Sequence, residues 1–148
     1  MQQYETLAKK HGLPSFEEID REFDMTEMPQ AQLVLRNVRK KIIEKINFLK
    51  EFMEDILQPE ANLPSLIECK SFTDKQKDDM YNTYKKVMQL MRKGVAAVAL
   101  ETDAKDAEFI KYAYKEWQPL KKEIAGYAEV AQECWHKEEK EEKESYLG

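Results

Sequence analysis

The feature that most constrains the fold is an apolar stripe that repeats at steps of three and four residues along three long segments. Such spacing places the side chains on one face of an α-helix, and that face must be buried against another element. The stripe of the last segment comprises Ile110, Ala113, Trp117, Leu120, Ile124, Tyr127, Ala131 and Cys134. The stripe of the first comprises Leu35, Val38, Ile42, Ile46, Leu49, Met53 and Ile56, and that of the second Met80, Tyr84, Val87, Met91, Val95 and Val98. The sequence therefore predicts three long amphipathic helices.

Glycine and capping residues divide the first part of the chain into two short helices. Gln2–His11 is predicted as a helix that Gly12 ends, because glycine readily takes the left-handed conformation found just after a helix. Ser15 and Glu18 have the spacing of a capping box. A second short helix is therefore predicted from there to about Phe23.

Proline and threonine bound the three long helices in a similar way. Pro29 suits the first turn of a helix, where its missing N–H costs nothing, so the first long helix is predicted over residues 29–57. A second capping-box pattern opens a helix over residues 73–100. The last helix is predicted over residues 103–144, with a bend where Pro119 removes one backbone hydrogen bond.

These elements predict an all-α fold, an antiparallel bundle of three long helices with short N-terminal helices and one helical turn near Leu66. Short connections favour this packing, because neighbours in sequence then become neighbours in space. The composition agrees, since 36% of the residues are charged and only four are glycine. Gly94 either lets another backbone approach closely or merely weakens its helix. We expect one domain, in which residues 1–28 pack on a bundle of residues 29–136 and residues 137–148 form a charged helix end.

Cysteine usage and hydropathy predict a cytoplasmic protein. Cys69 and Cys134 belong to no paired motif, which favours a reduced setting over a disulfide scaffold. The first residues, MQQYETLAKKHG, lack the apolar core of a signal peptide. The longest apolar run, Val95 to Leu100, is far shorter than the ~20 residues that span a bilayer. We therefore expect a soluble intracellular protein without membrane association.

Charge is strongly segregated along the chain, although the net charge is only −5. Residues 15–28 carry six acids against one base, whereas residues 36–50 carry six bases against one acid. A second basic stretch spans residues 75–93. Aligned basic side chains can displace counterions from the phosphate backbone of a nucleic acid. The alternative is that the acidic helix folds over the basic helix and pairs with it. The candidate nucleic-acid-binding residues are Arg36, Arg39, Lys40, Lys41 and Lys45.

Two arrangements near the end of the chain have the residue types of a reactive site. Glu133 and His136 form a Glu-x-x-His pair, which carboxylate-bridged di-metal bundles use, but the second such pair that those sites need is missing. Cys134 and His136 are two positions apart and point about 200° from each other on a helix, so they cannot act as nucleophile and base. Neither arrangement predicts a site.

Two acidic pairs have the spacing of a magnesium site. Helical nucleotide pyrophosphatases hold magnesium with Glu-x-x-Glu on one helix and Glu-x-x-Asp on a following one. Here the pairs are Glu51 with Glu54 and Glu17 with Asp20, in the reverse order along the chain. We therefore predict no catalytic residues, no metal and no cofactor.

One stretch near the N-terminus resembles known proteins. The residues from Leu13 to Phe23, LPSFEEIDREF, followed by a long basic helix, are similar to small uncharacterised helical proteins of archaea. The resemblance covers about the first third of the chain and implies a helical fold. It carries no known active residues across.

Three hypotheses on function follow, in order of preference. The first is a non-enzymatic helical protein–protein interaction or scaffold module, because the bundle stripe is complete, the charged last helix is long and no catalytic constellation is assembled. Its partner would be another protein or a second copy of the chain. The second is an RNA- or DNA-binding accessory protein that uses the basic helix faces. The third is an enzyme whose site only the fold brings together.

Overall fold

The structure is a computed structural model that describes residues 2–26, 28, 33–60 and 62–147, with side chains as far as residue 141. These residues form six α-helices and no β-strand. In chain order the helices are α1 (Gln2–His11), α2 (Phe16–Phe23), α3 (Val34–Leu57), α4 (Leu63–Lys70), α5 (Asp74–Leu100) and α6 (Asp103–Leu147). The predicted all-α fold is confirmed, since α3, α5 and α6 are three long helices that pack together as a helical bundle.

The chain divides into two compact units. Unit 1 comprises Met1–Phe48 and Lys86–Gln118, and unit 2 comprises Leu49–Lys85 and Pro119–Gly148. Segments of α3, α5 and α6 therefore pack within each unit, and the division of α6 falls at its internal proline. The expectation of one domain with parts 1–28, 29–136 and 137–148 stays a prediction.

Several predicted helix boundaries are confirmed by their hydrogen bonds. Gly12, after α1, has a φ of 67°, which is the left-handed conformation. The Ser15 side chain accepts a hydrogen bond from the Glu18 backbone N–H at 3.2 Å. At the start of α5 the capping box is reciprocal: Gln76 N–H donates to Thr73 Oγ1 at 3.1 Å, and Thr73 N–H donates to Gln76 Oε1 at 2.8 Å.

Other boundaries differ from the prediction. α3 begins at Val34 rather than at Pro29, which lies outside the described residues. Leu33 has a φ of 69°, so its backbone is not helical and the helix cannot extend through it. α4 has eight residues instead of one turn near Leu66, and α6 continues to Leu147.

The apolar stripes of α3 and α6 are confirmed, but that of α5 is displaced. Every residue of the predicted α3 and α6 stripes is buried except Leu49 and Tyr127, which are half-buried. On α5, Val95 and Val98 are 55% and 44% exposed, so the prediction that they point inward is wrong. The face of α5 that is buried comprises Met80, Thr83, Val87, Leu90, Gly94 and Ala97.

Close packing at Gly94 explains why the face of α5 is displaced. A Cβ atom at Gly94 would lie 3.1 Å from Ile43 Cδ1 of α3 and 3.3 Å from Phe109 Cε2 of α6. The absent side chain therefore lets two neighbouring side chains, rather than a backbone, approach the α5 axis. Gly94 and Ala97 face inward, and the larger residues between and after them turn outward.

Among the described residues, no helix has both the length and the apolar character that a membrane crossing requires.

Candidate interaction surface

Arg39, one of the predicted nucleic-acid-binding residues, is buried inside unit 1. Its guanidinium Nη1 lies 2.5 Å from Asp106 Oδ1, and both side chains are 2% exposed. The same Nη1 donates to the Ala97 carbonyl oxygen at 3.4 Å. Two charges removed from water are tolerated only when they are closely paired and hydrogen-bonded. Arg39 therefore joins α3, α5 and α6 in the core and is not available to a phosphate group.

Arg36, Lys40 and Lys41 lie nearer the surface of unit 1. Arg36 Nη2 is 3.6 Å from Glu101 Oε2, a partly exposed ion pair. Lys40 is exposed and Lys41 is half-buried. Of the five predicted residues, Lys40 is thus the one that is exposed.

Lys45 is held by α2. Its ammonium group lies 5.7 Å from the centre of the Phe23 ring and 5.2 Å from that of Trp117, and it donates to the Glu22 carbonyl oxygen. Trp117 Nε1 in turn donates to Glu22 Oε2 at 2.9 Å. Hydrogen bonds from Thr26 lower the pKa of the nearby Asp24, and the charge of Lys45 adds to this effect. The acidic α2 therefore covers this part of the basic helix.

The residue pairs that the sequence analysis considered for chemistry form no cluster. Among the described residues, no group of three or more His, Cys, Asp or Glu side chains is placed to hold a metal ion. Cys69 and Cys134 are free thiols, and Cys134 is buried with its Sγ donating to the Ile67 carbonyl oxygen at 3.5 Å. His136 is exposed.

Unit 2 contains a polar network that the sequence analysis did not predict. Thr83 Oγ1, on the buried face of α5, lies 2.8 Å from Glu123 Oε2 and 2.9 Å from Tyr127 Oη. The same hydroxyl lies 3.2 Å from the Asp79 carbonyl oxygen, and because it has one proton, a Thr83 that donates to either acceptor accepts from the Tyr127 phenol. Burial raises the pKa of Tyr127, which keeps that phenol protonated as a donor. The network joins α5 to α6.

Each unit also has one described cavity. A cavity of about 330 Å³ in unit 1 is lined by Gln3, Thr6, Leu7, Leu33, Val34 and Asp103. A cleft of about 440 Å³ in unit 2 is lined by Glu54, Leu57, Gln58, Lys77, Asp78, Tyr81 and Tyr84. The charges of this cleft are balanced, because Glu54 Oε1 lies 2.9 Å from Lys50 Nζ and Asp78 adjoins Lys77. Neither cavity selects one class of ligand.

The last two turns of α5 present an apolar surface to solvent in unit 1. Val95, Val98 and Leu100 are 55%, 44% and 56% exposed. Together with two exposed alanines they form the α5 surface, which is defined as Val95, Ala96, Val98, Ala99 and Leu100. The smaller Gly94 and Ala97 are the residues of this stretch that face inward.

The α5 surface is mounted on a well-packed support. Beneath it, Gly94 is in close contact with α3 and α6, and the Ala97 carbonyl oxygen accepts from the buried Arg39. The helix ends at Leu100, and the next residue, Glu101, has a φ of 48° and donates its N–H to the Ala97 carbonyl oxygen at 2.9 Å. The ion pair between Glu101 and Arg36 then ties this end to α3. The outward side chains are therefore fixed in position by contacts on the inner side.

Opposite charges border the α5 surface at its two ends. Arg92 and Lys93 precede it, and both are exposed. The Lys93 ammonium group lies 4.1 Å from the centre of the Tyr112 ring on α6. Glu101 and Asp103 follow it, and both are also exposed. The surface thus has a basic end and an acidic end.

The sequence contains a pattern that predicts the α5 surface, and this pattern is separate from the apolar stripe of α5. The run from Val95 to Leu100 is apolar at every position. A helix segment that is apolar all round needs neighbours on all sides, and a helix at the edge of a bundle has them on one side only. Part of the run must therefore remain exposed unless another element covers it.

The comparisons with known proteins assign the chain to no family. No family model matches it, and neither the curated proteins nor the solved structures gave a match.

Proposed function

We propose that this protein is a non-enzymatic, cytoplasmic interaction module that binds a helix of a protein partner through the α5 surface. The observation that carries the proposal is the outward placement of Val95, Val98 and Leu100 above the inward Gly94 and Ala97. Contiguous exposed apolar patches on monomeric proteins commonly mark interaction sites, whereas single exposed apolar residues do not.

The shape of the surface favours a helical partner. Ala96 and Ala99 are small and exposed, so a second helix can approach α5 closely along them. The larger Val95, Val98 and Leu100 on either side would then pack against that helix. Each is about half exposed, and completing its burial is worth about 1 kcal/mol. The surface can therefore stabilise a complex of modest affinity.

Nucleic-acid binding remains the alternative proposal, with fewer residues to support it. It retains the exposed Lys40 and the half-buried Lys41, but Arg39 is buried and Lys45 is held against α2. Nucleic acid that co-purifies with the protein and dissociates steeply as salt rises would favour this alternative.

Photo-crosslinking tests the proposed interaction directly. A benzoylphenylalanine side chain at position 96 should label a defined protein that mass spectrometry identifies and that excess unlabelled protein displaces. Position 40, which is exposed on α3 of the same unit, is the matched control. Labelling from position 96 that does not exceed labelling from position 40 would overturn the proposal.

A further inference from the structure

We propose that the α5 surface binds the same surface of a second copy of this chain, in antiparallel orientation about a two-fold axis. This inference rests on the proposed function and deepens it by naming the partner. Two properties of the surface support it: its distribution of charge and its distribution of side-chain size.

The charges at the ends of the α5 surface make it complementary to itself. Arg92 and Lys93 precede the apolar residues, and Glu101 and Asp103 follow them. When two copies lie antiparallel, the basic end of each faces the acidic end of the other, and two-fold symmetry produces this match twice. A parallel arrangement would instead set like charges against each other, which is unfavourable.

The side chains of the surface also suit one antiparallel register. A two-fold axis midway between Ala96 and Ala99 places these small residues against each other, so that the helix axes come close. In that register Val95 of each copy faces Leu100 of the other. Arg92 lies about 8 Å along the helix from the axis, at 1.5 Å per residue, on the side where the acidic residues that follow Leu100 of the second copy lie. Apolar and charged residues therefore both find partners in a single arrangement.

A lipid surface fits these residues less well. Helices that lie on membranes combine an apolar face with a border rich in Lys and Arg, which anionic headgroups attract. The acidic end formed by Glu101 and Asp103 would be repelled by such headgroups. A second copy of the chain satisfies both ends of the α5 surface.

The small extent of the surface sets the expected affinity. Stable complexes bury about 800 Å² per partner, and two turns of one helix provide less than this. We therefore expect a reversible dimer with a dissociation constant of about 10 μM to 1 mM.

Sedimentation of the purified full chain over this concentration range tests the pairing. The wild-type protein should pass from monomer to dimer as its concentration rises, and Ala96→Glu should remain monomeric because it places a charge at the centre of the contact. Arg92→Glu and Asp103→Arg should each weaken the dimer by about tenfold, since each sets like charges opposite one another. The combined variant Arg92→Glu/Asp103→Arg should restore most of the affinity.

Controls and contrary outcomes distinguish this inference from the proposed function. Lys40→Glu makes the same change of charge as Arg92→Glu away from the surface and should leave the dimer unchanged, and circular dichroism should show that every variant is helical. A strictly monomeric wild type, a dimer that Ala96→Glu does not affect, or single variants without rescue would overturn the two-fold pairing. A monomer whose position 96 crosslinks a different protein would overturn the pairing and retain the interaction module, whereas a monomer without crosslinks would overturn both.

Discussion

Unit 1 and unit 2 each contain a polar contact between segments of the long helices, and the two contacts differ in kind. In unit 1 the contact is a fully buried ion pair between Arg39 and Asp106, at 2.5 Å. In unit 2 it is the hydroxyl of Thr83, which lies between the Glu123 carboxylate and the Tyr127 phenol. The Thr83 side chain is buried, but Glu123 and Tyr127 are only half-buried.

The difference shows that a buried charge and a buried hydroxyl impose different requirements. A charge left alone in the interior loses its hydration without replacement, so removing one member of a buried pair is costly even where the whole pair adds little. A hydroxyl left alone loses much less, because a neutral group has a smaller desolvation penalty. Unit 1 should therefore be more sensitive than unit 2 to the loss of a single polar side chain.

The largest effect is expected from breaking the buried pair of unit 1. Asp106→Ala leaves the Arg39 guanidinium buried without its counter-charge and should lower the free energy of unfolding by about 3–5 kcal/mol. The double variant Arg39→Met/Asp106→Leu should recover most of this loss, because both charges are gone and the volume stays filled. Urea unfolding followed by circular dichroism measures both changes.

The exposed pair between Arg36 and Glu101 provides the control for that experiment. Glu101→Ala removes an ion pair of 3.6 Å at the surface of the same unit and should cost about 0–1 kcal/mol. If Asp106→Ala lowered the free energy of unfolding by no more than Glu101→Ala does, burial would not determine the cost of losing one member of an ion pair. A double variant less stable than Asp106→Ala alone would also contradict the argument.

A smaller effect is expected from breaking the hydroxyl network of unit 2. Thr83→Val keeps the shape of the side chain but leaves Glu123 and Tyr127 without the group that they share. We expect a loss of about 1–3 kcal/mol, below that of Asp106→Ala. Hydrogen exchange should increase mainly at the amides of unit 2, and Tyr127→Phe should have the milder effect of the two. An increase confined to unit 1 would show that the network does not stabilise unit 2.

The smallest effect is expected at one glycine in each unit. Gly126 lies in the unit 2 segment of α6, and a Cβ added there would meet no neighbouring atom within 4 Å, so Gly126→Ala should gain about 1 kcal/mol of helix stability. Gly94→Ala in unit 1 gains the same helix propensity, but its Cβ would lie only 3.1–3.3 Å from atoms of Ile43 and Phe109, which is closer than ordinary van der Waals contact. We expect Gly94→Ala to be less stable than Gly126→Ala by at least about 1 kcal/mol in thermal unfolding. Equal gains in stability from the two substitutions would mean that the side chains packed against Gly94 move aside at little cost.

Much of the fold was predictable because its causes are local. The Ser15 N-cap, the reciprocal capping pair of Thr73 and Gln76, and the left-handed Gly12 act within a few residues of the chain, and the structure confirms each of them. The start of α3 was not predictable in the same way. Leu33 takes a left-handed φ that is uncommon for a leucine, and no local pattern around it indicates this conformation.

The candidate site was predictable only in part. The run from Val95 to Leu100 is visible in the sequence, but its outward orientation depends on the packing of Gly94 against α3 and α6. A shift of the α5 stripe by one position exchanges the buried and exposed faces, and periodicity alone permits both choices. The close approach of Ile43 and Phe109 decides between them.

The sequence by itself determined that the chain is helical, where most of its helices begin and end, and which faces of α3 and α6 are buried. These properties follow from hydrogen bonds and apolar periodicity within one segment. Only the tertiary structure decided that Arg39, rather than its neighbours Lys40 and Lys41, enters the core, and that Thr83 joins α5 to α6. The groups that contact Arg39 lie 58 and 67 residues away, and the side chains that contact Thr83 lie 40 and 44 residues away. The Thr83 hydroxyl is also within hydrogen-bond distance of the Asp79 carbonyl oxygen on its own helix, whereas a charge such as that of Arg39 can be buried only where distant partners meet it, and the fold alone brings them together.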